Sequence, residues 1–334
     1  MTLDWPTLLP LIFAGLMGLA ILIYVVLDGF DLGIGILFAA ADDHEKDVMI
    51  AAIGPFWDAN ETWLVLAVGL LLVAFPHAHG IILTELYLPV ALLLIGLILR
   101  GVAFDFRAKV PTAHKARWNR LFFAGSIIAS LAQGYMLGVY VLGLDLSFGA
   151  IAFGALVAVS LAAAYAAMGA AWLIYKTEGE LQKKAVHWLR WALVFTVIGM
   201  AEISIATPLA SPRIFEKWFV FPTFVYLSPL PILSGVLFLW LWRQTFHLPK
   251  EKDRHALLPF LTLALIFALG FAGLAYSFYP YVVPEQLTIW EAASAPESLG
   301  FILVGALFVL PVIILTSAYV YRVFGGKAVD LHYD

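Results

Sequence analysis

Nine apolar runs, at roughly 8–38, 53–75, 82–104, 121–143, 148–174, 188–209, 220–242, 257–279 and 299–321, alternate with short polar connections. A helix needs about 20 apolar residues to cross the hydrocarbon core of a bilayer. Each run is therefore expected to be a spanning α-helix, and residues 1–334 to form one polytopic transmembrane domain. The first run is overlong, so its cytosolic end is expected to project beyond the hydrocarbon or to tilt. No basic n-region precedes it and no small-residue cleavage site follows it, so it reads as a retained helix and not a signal peptide. No sequence repeat is evident, which leaves open a repeat visible only in structure.

Composition sharpens this to an all-α integral membrane protein. Apolar residues make up 63% of the chain and charged residues 13%, with a mean hydropathy of +0.95. Soluble domains average about 45–50% apolar and about 25% charged. The connections set an orientation. With the N-terminus outside, 16 of the 19 Lys and Arg residues fall in inner connections and two, Arg213 and Lys217, in outer ones; Arg100 lies within a span. Basic residues favour the cytosolic side, so the N-terminus is expected outside and the C-terminus inside. A net charge of -4 argues against a nucleic-acid partner. The absence of cysteine removes disulfides, thiolate metal sites and iron–sulfur clusters. The longest outer connection, about Pro280–Ser298, is too short to house a catalytic site by itself.

Against this apolar background four acids stand out. Asp28 and Asp31 lie late in the first run, and Asp58 and Glu61 early in the second. A charge at mid-bilayer costs roughly 2.5–3.5 kcal/mol, and an intramembrane carboxylate is by default a proton or cation site. Each pair is spaced i, i+3 and so shares a helix face; Asn60 is expected to point elsewhere. Gly29 and Gly33, four apart, let another helix approach closely. The simplest packing sets the acidic faces of the first two helices together. Two close acids in low dielectric cannot both stay ionised, so a shared proton and intervening water would make a relay.

Plainer readings compete at each position. Asp28 and Asp31 would meet water if the first helix projects from the membrane. Pro55 suits a helix N-terminus, which would put Asp58 and Glu61 in a first turn complementing the dipole. Arg100 is a counter-ion for one of these acids or snorkels to the interface. Asp105 collects cytosolic protons or is a solvated loop acid. Glu202, deep in the sixth run, pairs with a partner subunit, binds a lipid or quinone headgroup, or makes a structural hydrogen bond. The eight histidines, His44, His77, His79, His114, His187, His247, His255 and His332, all fall in loops or at helix ends. His77 and His79 are i, i+2 and do not share a helix face, so haem ligation by this chain is not expected. No phosphate-binding loop is present. The tryptophans and tyrosines suit interface belts and packing.

Three motifs go further: Leu27-Asp28-Gly29-Phe30-Asp31-Leu32-Gly33-Ile34-Gly35, then Gly54-Pro55-Phe56-Trp57-Asp58-Ala59-Asn60-Glu61-Thr62-Trp63, then Arg100-Gly101-Val102-Ala103-Phe104-Asp105-Phe106-Arg107. In this order they resemble subunit II of the cytochrome bd quinol oxidases. The compact length, with Phe56, Ala59, Glu61 and Thr62, resembles the cyanide-insensitive branch. The resemblance implies two four-helix bundles plus one peripheral helix, in the bacterial cytoplasmic membrane. It implies a complex that oxidises quinol and reduces dioxygen to water. Haem b and haem d, and the quinol-oxidising loop, would belong to a haem-bearing subunit I, and a small single-helix accessory subunit often joins in this family. Asp31, Asp58 and Asp105 would be proton-path residues, with Arg100 nearby. Asp28 belongs to the same motif, as conductor or as structure. Glu61 departs from the better-known branch, where an amide is implied. Some family members hold a structural quinone in subunit II; no motif here establishes one. Two other readings stand beside this one: a carboxylate-based secondary cation or proton transporter, and a purely structural partner subunit.

Overall fold

The computed structural model describes residues 4–250, 253 and 255–328. Lys252, Arg254 and His332, included in the counts above, lie outside the described residues. Among these residues nine helices are long and apolar enough to span a membrane.

The chain opens with α1 (Trp5–Leu37), followed by α2 (Asp43–Ile53), α3 (Trp57–Ala74), α4 (Pro76–Glu85), α5 (Tyr87–Lys109) and α6 (Thr112–Val141). After α7 (Phe148–Lys176) and α8 (Gly179–Ala210) come the short α9 (Pro212–Phe219) and α10 (Thr223–Leu227), then α11 (Pro229–Gln244) and α12 (Leu258–Phe278). A small antiparallel hairpin, β1 (Tyr281–Val283) with β2 (Leu287–Thr288), leads through α13 (Ile289–Ala292) to α14 (Pro296–Val323). The spans are α1, α3, α5, α6, α7, α8, α10–α11 together, α12 and α14.

Short helices at the span ends account for the differences from the hydrophobic runs. The second run starts at 53 by hydropathy, but residues 43–53 form α2 and the span begins at Trp57. Asp42 caps α2: its carboxylate accepts from the Glu45 N–H, and Glu45 accepts in return from the Asp42 N–H. Two orphan amides are thereby satisfied, so the helix starts in a polar stretch where hydropathy gives no signal. Similarly, Pro76 at a first helical position starts α4 before the third span, which begins at Tyr87 and not at 82. The seventh run is divided at Ser228, just before Pro229.

α5 packs on α6, α6 on α7 and α7 on α8; α1 packs on α3, α6 and α7, α12 on α7 and α11, and α14 lies outside and touches α1. For description, α1, α3, α5 and α6 are taken as a first group and α7, α8, α11 and α12 as a second. The join between groups is close because it is glycine on glycine. A Cβ on Gly33 would clash with the Tyr165 carbonyl, and one on Gly169 would fall 2.5 Å from the Ile34 nitrogen. The small-residue face of α1 thus meets α7, not the second span. A large aromatic core fills the basic end of this join, where Phe30 stacks on Trp172 with centroids 4.5 Å apart and Phe56 meets Trp172 edge-on at 5.6 Å.

The same end is tied by charge. The Arg107 guanidinium donates to Asn119 at 2.6 Å and to Asp47 of α2 at 2.7 Å, and Lys115 reaches Asp47 at 3.0 Å. Partial burial opposes ionisation of Asp47, but the bonds from Lys115 and Arg107 outweigh it and hold the carboxyl below the usual carboxylate range. At the opposite end Glu285 accepts from Arg213 at 2.8 Å and Ser211 at 2.8 Å, tying the hairpin to α9.

Candidate functional site: a buried carboxylate–guanidinium cluster

Each charged residue at the centre of the first group is placed by the buried stripe of its helix. On α5 the buried positions are Pro89, Leu93, Gly96, Leu97, Arg100, Ala103, Phe104 and Arg107, spaced three and four apart. Arg100 falls in the middle of that stripe, only 1% exposed, and does not snorkel. Gly125 of α6 makes room for it, since a Cβ there would sit 2.6 Å from the Arg100 backbone nitrogen. On α1 the residues from Asp28 to Gly35 are all buried, and both aspartates are fully enclosed.

Arg100 holds two acids. Its Nη1 donates to Asp28 Oδ1 at 2.6 Å and its Nη2 to Glu61 Oε2 at 2.7 Å. Three helices are pinned at one guanidinium, a fork that serves two oxygens at once. Asp31 takes a different partner: Asn60 Nδ2 donates to Asp31 Oδ2 at 2.8 Å and also faces the Leu27 carbonyl at 3.4 Å. Asn60 in turn accepts at Oδ1 from the Tyr321 hydroxyl of α14, at 2.8 Å. Asp28 Oδ2, Asp31 Oδ1 and Arg100 Nε are buried with no hydrogen-bond partner among the described residues. A buried polar atom left unpaired costs about 1–3 kcal/mol.

The second span corrects the expectation for its acids. The buried stripe of α3 is Asn60, Trp63, Ala67, Leu70 and Ala74. At about 100° per residue, Asp58 lies on the far side of that stripe. It is exposed in the first turn of α3, complementing the helix dipole. Asn60, expected to point away, is the residue that enters the site. Glu61, one step round from the stripe, is half-buried. Asp105 is likewise exposed, on the face of α5 away from Arg100. The structure thus brings Asp28, Asp31, Glu61 and Arg100 together and leaves Asp58 and Asp105 on the surface of the chain.

The sequence reading missed Asn60 and Tyr321. Asn60 had a signal, being the polar member of a spaced stripe; Tyr321 had none apart from being a tyrosine near a span end. Glu202 on α8 stands apart from this cluster, half-buried, and accepts from Ser160 at 3.2 Å. The described histidines are exposed or half-exposed, and His187 lies within α8 and not at a helix end.

Fold and site together define a multi-pass helical membrane protein with a charged cluster enclosed in its first four-helix group. Residues 9–324 match the family described as cytochrome bd terminal oxidase subunit II, and the chain belongs to that family. Subunit 2 of the cytochrome bd-I ubiquinol oxidase of Escherichia coli K12 is 27% identical, over 93% of each chain. Subunit 2 of the cytochrome bd ubiquinol oxidase of Bacillus subtilis 168 is 27% identical, over 96% of this chain and 94% of the relative. The solved bd oxidase of Geobacillus thermodenitrificans contains a chain of the same fold, with a TM-score of 0.77 at 16% identity over 95% of this chain and 98% of that one. The chain is therefore an integral subunit of a respiratory oxidoreductase complex in the cytoplasmic membrane.

Proposed function

We propose that this chain is the haem-free half of a quinol:dioxygen oxidoreductase, assembling with a haem-bearing subunit I and leading cytoplasmic protons toward that subunit's oxygen-reduction site. The observation that carries the reading is charge. Three carboxylates lie beside one guanidinium, which pairs with two of them, inside the first helix group, and two carboxylate oxygens have no partner among the described residues. Excess negative charge in low dielectric is balanced by protons or by water, and buried acceptors left unmet are where ordered water binds.

The surface acids fit the same scheme. Asp58 and Asp105 are exposed on neighbouring spans, where a charge facing lipid costs roughly 2.5–3.5 kcal/mol. Facing a partner subunit or a water-filled seam removes that cost. We therefore assign them to the contact with subunit I, with Asp105 at the basic, cytosolic end and Asp58 between it and the enclosed cluster. The Lys and Arg asymmetry supports an N-out, C-in chain. The relatives are named as ubiquinol oxidases, so a quinol is the electron donor we take for the complex.

Haem bound in subunit I would supply the electron transfer and oxygen chemistry. Reduction of one dioxygen to two waters takes four electrons, from two quinols, and four protons. If those protons come from inside while quinol releases its own outside, each charge moved stores about 2.3 kcal/mol per 100 mV. The aspartates here would serve the inner half of that circuit.

Asp31 is the test residue, because an amide can replace it and still accept from Asn60. Asp31→Asn in the co-expressed complex should slow oxygen consumption per haem with the optical spectrum unchanged. Wild-type turnover would favour a structural role for the cluster, a reading that the direct pairing of Asp28 and Glu61 with Arg100 also supports. Uptake of cations by the isolated chain in vesicles would instead favour a transporter.

A further inference from the structure

We propose that Tyr321, on the ninth span, is a positioning residue for the proton site: its hydroxyl fixes the Asn60 amide so that an N–H, not a carbonyl, faces Asp31. This rests on the proton-path reading above. Helix α14 is the least buried of the nine spans, so a direct link from it to the enclosed cluster is not explained by packing alone.

The geometry is a chain of two bonds. Tyr321 Oη donates to Asn60 Oδ1 at 2.8 Å, and Asn60 Nδ2 donates to Asp31 Oδ2 at 2.8 Å. Asn60 is 1% exposed and Asp31 fully enclosed. A primary amide has two faces, and only one offers a donor to a carboxylate. The phenol proton selects that face, since it needs an acceptor and finds Oδ1. The Tyr321 ring is itself fixed by aromatic neighbours, stacking on Phe56 with centroids 4.6 Å apart and meeting Trp172 edge-on at 5.9 Å. The charged and titratable groups around Asp31 are Asp28 on its own helix, Glu61 on α3, Arg100 on α5 and Tyr321 on α14; α7 adds Tyr165, whose hydroxyl donates to Gln133.

Without the hydroxyl the amide is free to turn its carbonyl toward Asp31. A protonated carboxyl tolerates that by donating, whereas a carboxylate is repelled. Tyr321→Phe, which keeps the ring stack, should therefore slow release of the proton and move the alkaline limb of turnover to higher pH by about 1–2 units, the scale of one hydrogen bond to a charged group.

The experiment is oxygen consumption against pH, per haem, in the co-expressed complex, for wild type, Asp31→Asn, Tyr321→Phe, Asn60→Ala and the double variant Tyr321→Phe/Asn60→Ala. Tyr319→Phe, on an exposed position of the same helix, is the control and should match wild type. The proposal expects a shifted limb in Tyr321→Phe and no further shift when Tyr321→Phe is added to Asn60→Ala. It is overturned if Asp31→Asn slows the complex while Tyr321→Phe keeps the wild-type rate and profile, or if the two changes add independently. If Asp31→Asn itself runs as wild type, the proton-path reading fails and takes this inference with it. Rates taken per haem keep the comparison valid should Tyr321→Phe lower assembly.

Discussion

One arginine sets the energetics of the enclosed cluster. Arg100 neutralises Asp28 and Glu61, each within 2.7 Å, with the guanidinium and Asp28 enclosed and Glu61 half-buried. Removing one partner of a buried ion pair costs about 3–5 kcal/mol, because the charge left behind is uncompensated. Arg100→Leu should therefore reduce the yield of assembled complex sharply, read as haem recovered per unit of membrane protein. Asp58→Asn should act differently, slowing oxygen consumption at normal haem content, since Asp58 makes no enclosed ion pair. Asp28, Asp31 and Arg100 were legible in the sequence because a charge in an apolar run is conspicuous. Their partners were less so. Asn60 hid among other polar residues of its motif, and the i, i+3 rule drew attention to Asp58, which helix rotation turns outward. Tyr321 looked like any aromatic of an interface belt, and its bond to Asn60 spans 261 positions in sequence.

At the level of elements, hydropathy located the spans but not their ends. Capping groups and prolines fix where α2, α3 and α4 begin, and these lie in polar stretches that a hydrophobic window cannot resolve. The glycine face of α1 was legible as a close-packing surface, but not which helix it would meet; that depends on the fold of the second group. Gly33→Leu should force α1 and α7 apart, at a cost of about 1–3 kcal/mol or more for overpacking. It should lower the thermal stability of the complex more than Gly300→Leu, at a position open to added side-chain atoms. The α2 tether supplies a pH dependence. Because Asp47 is held below its ordinary range, its contribution is present above the unfolded value of about 3.9 and lost as pH falls through the folded one. Asp47→Asn should lower stability at neutral pH and flatten its loss between about pH 4 and lower values, as thermal shift in detergent would show.

For the whole molecule, the division of labour is between two helix groups. The enclosed charge belongs to the first, while the second supplies the aromatic and small-residue surface against which α1 is seated. Such asymmetry was visible along the chain, where every intramembrane acid but Glu202 falls before residue 106. The grouping of helices was not, because it rests on contacts between residues far apart in sequence. A complex purified with its partner subunit should be coloured by haem, and this chain expressed alone should be colourless in visible absorption. Haem on the isolated chain would contradict the division proposed here.

Beyond α14 the chain runs back over the end of α7. The Gly326 amide donates to the Tyr175 hydroxyl, the Lys327 ammonium to the Thr177 carbonyl and the Ala328 amide to the Lys176 carbonyl, at 2.9, 2.7 and 2.7 Å. These few residues act as a strap that moors the outlying helix where its lipid-facing length cannot. Replacing residues 326–328 by a flexible Gly-Ser stretch should loosen that mooring and lower the melting temperature of the complex, with the enclosed cluster left unchanged.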